Sequence, residues 1–152
     1  MNRRELLLAG LALLGASAVW GGNPRPASGI DWLHDEQRAF AESRRTGKPV
    51  LVEAWAEWCA ACKVMDRNSW SDPAVQRKVR ERFVPLRLDF TEDSPATDGL
   101  RQRYAVDGLP TLLACRAPAC AGTQSDRTTG LLQPAELLAF LAAFDIRVNR
   151  GL

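Results

Sequence analysis

The fold of this chain is decided by the stretch VLVEAWAEWCAACK, residues 50–63. Its first six residues are almost all apolar, which predicts a strand buried on both faces within a sheet. Cys59 and Cys62 follow at the start of a predicted helix. Unpaired backbone N–H groups and the positive end of the helix dipole meet at the first sulfur, and both favour a thiolate over a thiol. The second sulfur lies one turn further on, so the pair can close a disulfide and exchange two electrons.

The composition is that of an ordinary globular domain. The chain has 152 residues, of which 46% are hydrophobic and 25% charged, enough for one domain with its own core. The net charge of +2 is too small to indicate a surface for nucleic acid or for an anionic membrane. We expect no nucleic-acid partner, no metal and no cofactor beyond the cysteines themselves.

The N-terminus has the pattern of a secretory signal. Arg3 and Arg4 precede an apolar stretch at residues 6–19, and ASA at residues 16–18 fits the small-x-small cleavage pattern. An apolar stretch of about 14 residues is short for a membrane span. We therefore predict a signal peptide at residues 1–18 and a periplasmic location, where cysteines meet oxidising conditions. An uncleaved membrane anchor is the alternative, and the match to a twin-arginine signal is only partial.

After a linker at residues 19–29, rich in Pro, Gly and Ser, one domain is predicted at residues 30–148. Strands alternate with helices and the chain closes with a hairpin and a helix, which predicts an α/β sandwich with a mixed sheet. The order is β-α-β-α-β-α-β-β-α. The predicted strands are 30–33, 50–55, 83–90, 112–115 and 127–130; the predicted helices are 34–45, 59–68 with a restart at 72–82, 94–104, and a last one from 133.

Four motifs together resemble one family. They are GKP at residues 47–49, AEWCAACK at 56–63, WSDP at 70–73 and VDGLPT at 106–111. A Cys-x-x-Cys pair is a weak motif alone, but it is specific when a strand precedes it and Gly-x-Pro-Thr follows about 50 residues later. Over residues 30–146 the chain resembles the thioredoxin superfamily, and is similar within it to the C-terminal periplasmic domain of the DsbD thiol reductases and its stand-alone relatives. The resemblance implies a thioredoxin fold.

The resemblance also implies roles for individual residues. Cys59 is the exposed nucleophile, and Cys62 is the more buried thiol that resolves the mixed disulfide. Pro110 is the cis-proline that packs against the disulfide, and the backbone before it, at Leu109, pairs with the substrate. Trp58 shields the site and offers a contact surface. The alternatives are a structural disulfide for the cysteine pair and an ordinary trans proline at a strand start.

Two acidic residues lie close to the cysteines in sequence. Glu53 interrupts an apolar strand, and because burying an unpaired carboxylate is costly, it is expected to be neutral, paired or functional. By resemblance it takes the proton from Cys62 during exchange; otherwise it points outward at the strand end. Asp66 lies four residues after Cys62, on the same helix face. By resemblance it is a second tuning group; otherwise it is a solvated helix residue.

A second pair, Cys115 and Cys120, departs from the family pattern. We predict a structural disulfide that closes a hairpin loop, contributing roughly 2 kcal/mol because the loop is short. A second redox pair is the alternative. A zinc site built from all four cysteines is opposed by distance, because Cys115 would lie about 16 Å along the strand from Pro110.

The dipeptide Ala60-Ala61 bears on the direction of electron flow. It supplies no His or polar donor to stabilise a Cys59 thiolate, whereas strong oxidants owe their potential to a stabilised reduced form. We therefore predict a disulfide reductant or electron relay that acts on protein disulfides, with an integral-membrane electron donor supplied in trans. Two alternatives stay open. One is a periplasmic oxidase or isomerase; the other is a Cu(I)-binding protein, disfavoured by a content of two Met and one His.

Overall fold

The structure is a computed structural model, and it describes residues 28–116 and 127–149. The predicted signal peptide at residues 1–18, the linker as far as residue 27, and Cys120 lie outside the described residues. Among the residues that are described, no helix combines the length and the apolar character that a membrane span requires.

The described elements alternate along the chain as the sequence predicts. They are α1 (Glu36–Thr46), β1 (Val50–Trp55), α2 (Ala60–Asn68), α3 (Pro73–Arg82), β2 (Val84–Asp89), α4 (Pro95–Tyr104), β3 (Thr111–Cys115), β4 (Arg127–Thr129) and α5 (Pro134–Asn149).

The strands form one mixed sheet in the order β2-β1-β3-β4. β1 is parallel to β2 and antiparallel to β3, and β4 completes the sheet as the hairpin partner of β3. Glu53 on β1 therefore faces Arg87 on β2 and Leu112 on β3 in register. The mixed sheet with helices confirms the predicted α/β class, and β1 is an inner strand as its apolar sequence indicates.

Local signals set the ends of several helices. The Asp72 side chain accepts hydrogen bonds from Ala74 N and Val75 N, and Pro73 occupies the first position of α3. Ser94 and Thr97 form a capping box at the start of α4. α1 ends at Gly47, whose φ of 71° lies in the left-handed region that glycine adopts without strain.

The N-terminal part of the domain differs from the prediction. The edge strand expected at residues 30–33 is reduced to a single bridge between Leu33 and Leu86. Trp32 N–H donates to the Ile30 carbonyl, so the chain turns there instead of running extended along β2. α1 begins two residues later than predicted, at Glu36, because the Asp35 side chain caps it by accepting from Arg38 N.

The core lies on both faces of the sheet. One face packs α1 and α4 over Val52, Leu86 and Leu113, and both Cys59 and Cys62 belong to this cluster. The other face packs α3 and α5 over Leu51 and Leu112. α2 therefore begins with cysteines buried in one cluster, while its Met65 lies in the other.

Candidate functional site

Cys59 and Cys62 form a disulfide at the start of α2, just beyond the end of β1. Cys59 is the N-cap residue of this helix, and its Sγ accepts a hydrogen bond from Cys62 N at 3.1 Å. An N-cap side chain receives one of the helix's unpaired N–H groups, a contact that also stabilises a negative charge on that atom. Cys59 keeps 6% of its surface exposed and Cys62 none, so attack from solvent reaches Cys59 first.

The segment before β3 lies against the core cluster to which Cys59 and Cys62 belong. The Leu109–Pro110 peptide bond is cis, and Pro110 is buried. Leu109 is partly buried and packs against the core cluster that contains both cysteines. The Pro110 carbonyl accepts from Gly130 N, which ties this turn to the residue after β4.

Two large apolar side chains are exposed among the described residues, Trp58 at 62% and Leu131 at 40%. Trp58 directly precedes Cys59, and its indole Nε1 donates to the Thr91 carbonyl at 3.1 Å. Trp70 is completely buried, whereas Trp55 is partly buried and donates to Asp66 Oδ2.

Glu53, on β1, is fully buried. Its Oε1 accepts from Trp70 Nε1 at 2.8 Å, and its Oε2 accepts from Arg87 Nε at 2.7 Å. The outward orientation considered from the sequence is therefore wrong. Burial raises the pKa of Glu53 from 4.5 to about 7, although Arg87 and the Trp70 hydrogen bond pull it down; the negative charge of Asp66 pushes the pKa up further.

Asp66 is also buried, with 8% of its surface exposed. Its carboxylate accepts from Trp55 Nε1 at 3.1 Å and from Arg87 Nη2. It is therefore not a solvated helix residue, the alternative that the sequence left equally open. Among the described residues, no buried side-chain nitrogen or oxygen lacks a hydrogen-bond partner, so these acids lie in a completely paired network.

Arg87 joins the two acids, and sequence reasoning missed it. Its side chain is 10% exposed and makes ion pairs with both Glu53 and Asp66. Its guanidinium carbon also lies 4.7 Å from the ring centroid of Trp32 and 5.3 Å from that of Trp55. One signal was present in the sequence. Arg87 alternates with Leu86 and Leu88 in a predicted strand, and two opposite charges in neighbouring strands are a candidate pair.

Cys115 lies at the other end of the sheet. It pairs in register with Val50 at the start of β1, whereas Cys59 follows the end of that strand. Six strand residues span about 20 Å, so a single zinc ion with bonds of about 2.3 Å cannot join the two sites. Cys115 is buried and its Sγ lies 3.8 Å from the Val50 carbonyl. The pairing with Cys120 involves a residue outside the described part of the chain and stays a prediction.

Comparison with known proteins gives a consistent result. The family described as Thioredoxin-like matches residues 31–117. DsbD of Yersinia enterocolitica is 33% identical over 148 residues, which cover 90% of this chain and 25% of that protein. DsbD 1 of Pseudomonas aeruginosa is 45% identical over 75 residues, 49% of this chain and 12% of that protein. The chain thus spans a quarter or less of the DsbD proteins' length.

Solved structures give the same fold. A thioredoxin from Thermus thermophilus superposes with a TM-score of 0.66 and 30% identity, covering 78% of this chain and 88% of the thioredoxin. The reduced C-terminal domain of Neisseria meningitidis DsbD superposes with a TM-score of 0.60 and 22% identity, covering 70% and 91% of the two chains. The second likeness shows the fold alone, because its sequence identity is low.

Proposed function

This chain belongs to the thioredoxin-like family of thiol-disulfide oxidoreductases, and we propose that its Cys59–Cys62 pair works as a disulfide reductant or electron relay for protein substrates. One observation carries the proposal. The pair is joined at a helix start, where Cys59 keeps 6% of its surface exposed and Cys62 is completely buried. A disulfide that only held the fold together would not need this asymmetry.

The proposed reaction transfers two electrons from the reduced pair to a substrate disulfide. The Cys59 thiolate attacks one substrate sulfur, a mixed disulfide forms, and the first substrate thiolate leaves. Cys62 then loses its proton and attacks the Cys59 sulfur, which breaks the mixed disulfide and releases the second substrate thiolate. The substrate ends as a dithiol and the enzyme as the Cys59–Cys62 disulfide, the state described above.

Glu53 is the proposed acceptor of the Cys62 proton. A general base is most effective when its pKa lies near the working pH, and burial places that of Glu53 at about 7. Asp66 and Arg87 set its charge environment, since the guanidinium contacts both carboxylates. Pro110 and Leu109 are the proposed backbone contact for the substrate strand, next to the cluster that holds the pair.

The proposed location is the periplasm, after removal of residues 1–18 as a signal peptide, with residues 19–29 as linker to the domain. A reductant in an oxidising compartment needs a continuous supply of electrons. We propose an integral-membrane donor that acts in trans, as the likeness to DsbD supports. Cys115 and Cys120 are proposed as a structural disulfide remote from this exchange.

Substrate trapping tests the proposal. Cys62→Ser should accumulate mixed disulfides between Cys59 and substrate proteins, because the resolving thiol is missing, and Cys59→Ser is the matched control that should form none. The reduction potential of the pair then decides the direction. A value near that of thioredoxin, about −270 mV, supports a reductant, whereas one near that of DsbA, about −120 mV, supports an oxidase.

A further inference from the structure

The loop after β2 is bonded to the segment that carries Trp58. Thr91 Oγ1 accepts from Glu57 N at 2.9 Å, and the Thr91 carbonyl accepts from the Trp58 indole at 3.1 Å. Asp89, the last residue of β2, accepts from both Thr91 N at 2.8 Å and Thr91 Oγ1 at 2.5 Å. The side chain and the backbone of Thr91 thus hold two consecutive residues just before Cys59.

The polarity of these bonds fixes the direction of the Thr91 hydroxyl. A hydroxyl has one proton to donate, and the Asp89 carboxylate, which only accepts when ionised, receives it. The oxygen lone pairs are then directed to the Glu57 amide, which only donates. A bond to a charged acceptor polarises the hydroxyl and strengthens the bond that its oxygen accepts. Asp89 therefore acts on Glu57 through Thr91.

The consequence concerns Trp58, which is 62% exposed although the one polar atom of its side chain is bonded to backbone. A large aromatic ring that is fixed before binding loses little conformational entropy when a partner covers it. Such rings are the usual anchor points of polypeptide interfaces. A small disulfide reaching the Cys59 sulfur would cover little of this ring, whereas a polypeptide on both sides of a disulfide would cover much of it.

We propose that Asp89 and Thr91 are positioning residues that hold Trp58 as a rigid docking surface for the polypeptide around a substrate disulfide, and so favour protein disulfides over small ones. The proposal rests on the proposed function and adds a basis for its substrate preference. Neither residue contacts the reacting sulfur atoms; both act through Glu57 and Trp58.

The test compares three variants of the full chain. Thr91→Val removes the hydroxyl, Thr91→Ser retains it, and Thr97→Val removes a different hydroxyl, in the first turn of α4 that follows this loop. Thr97 accepts from Ser94 N and donates to the Glu92 carbonyl, so its loss weakens the start of α4 without touching Trp58. Reduction of insulin disulfides measures the protein substrate, and reduction of hydroxyethyl disulfide measures the small one.

Thr91→Val should raise the KM for insulin about fivefold, the effect of one hydrogen bond, with kcat unchanged. Hydroxyethyl disulfide should react as in the unaltered protein, and NMR should show faster solvent exchange of the Glu57 amide and the Trp58 indole proton. Thr91→Ser and Thr97→Val should retain the original KM. An unchanged KM in Thr91→Val, or an equal rise in Thr97→Val, would overturn the positioning role. If the unaltered protein reduces neither disulfide, the proposed function itself fails.

Discussion

Arg87 Nε lies 2.7 Å from Glu53 Oε2, across two parallel strands whose register places the two residues opposite each other. The same guanidinium contacts Asp66, so one buried cation faces two buried carboxylates. When both acids are ionised the cluster carries one surplus negative charge in a poorly solvated place. A proton on Glu53 removes that charge, which agrees with its pKa being raised to about 7.

The first prediction concerns the cation of this cluster. Arg87→Met should lower the free energy of unfolding by about 3 kcal/mol, because it leaves two buried carboxylates without their charged partner. The substitution should also raise the pKa of Glu53 further, since the Arg87 charge lowers that pKa in the original protein. Urea denaturation measures the first effect, and the carboxyl chemical shift of Glu53 measures the second.

Arg103→Met is the matched control for that substitution. Arg103 pairs with Glu36 at the surface, where its side chain is 60% exposed, and such pairs contribute at most about 1 kcal/mol. If both variants lower the free energy of unfolding equally, the buried ion pairs of Arg87 contribute no more to stability than a surface pair.

The second prediction concerns stability against pH. Between pH 4.5 and about 7 the folded protein retains a proton on Glu53 that the unfolded chain has released. The stability that this group contributes is therefore fully present below pH 4.5 and is lost as the pH rises to about 7. A Gln side chain does not titrate, so the Glu53→Gln variant does not lose this stability as the pH rises. The stability of the Gln variant relative to the original protein should rise through this range by an amount on the order of 3 kcal/mol, then level off.

Denaturation curves of both oxidised proteins at several pH values measure this difference. A difference that is constant from pH 4 to 8, or that falls, would contradict a raised pKa at Glu53.

The third prediction concerns the resolving step. Glu53→Gln should slow the attack of Cys62 on the mixed disulfide by about a hundredfold, because the base that accepts its proton is missing, while the first attack by Cys59 changes less. In the original protein the rate of the resolving step should rise with pH through about 7, as Glu53 ionises. Stopped-flow decay of a preformed mixed disulfide measures it.

Glu57→Gln is the control for these kinetics. Glu57 is an exposed carboxylate close to the pair in sequence that binds Lys63, and its loss should leave the resolving rate within about twofold. If Glu53→Gln behaves like this control, Glu53 is not the proton acceptor.

The fourth prediction concerns the order of cysteine reactivity. In the reduced protein at neutral pH, limiting iodoacetamide should modify Cys59 well before Cys62, because Cys59 caps the helix and keeps a small exposed surface whereas Cys62 is fully buried. Peptide mass spectrometry measures the ratio. Equal modification of the two would refute the assignment of nucleophile and resolving thiol.

The fifth prediction concerns the second cysteine pair. Replacing Cys115 and Cys120 together with Ser should lower the free energy of unfolding by about 2 kcal/mol and leave insulin reduction intact, because Cys115 lies at the end of the sheet remote from Cys59. Loss of turnover in a folded variant would reveal a second relay.

The sequence by itself determined the α/β order, the cysteine pair at a helix start, the helix that restarts at residue 72 and the conflict at Glu53. Each depends on neighbouring residues: periodicity, helix capping, or the cost of a charge within an apolar strand. These signals failed at residues 30–33, where a strand was predicted and a local turn at Trp32 replaced it.

Only the tertiary structure decided which distant residues contact Glu53, Asp66 and Glu57. Arg87 is 34 residues from Glu53 and 21 from Asp66, and Thr91 is 34 from Glu57. Strand periodicity alone assigns Arg87 to one face of β2 without saying what covers that face. The register of β1 on β2 brings Glu53 to Arg87, and the packing of α2 brings Asp66 there. The loop after β2 reaches Trp58 because Thr91 and Trp58 each follow the same end of two parallel strands. Such contacts depend on strand pairing, which no single stretch of sequence encodes.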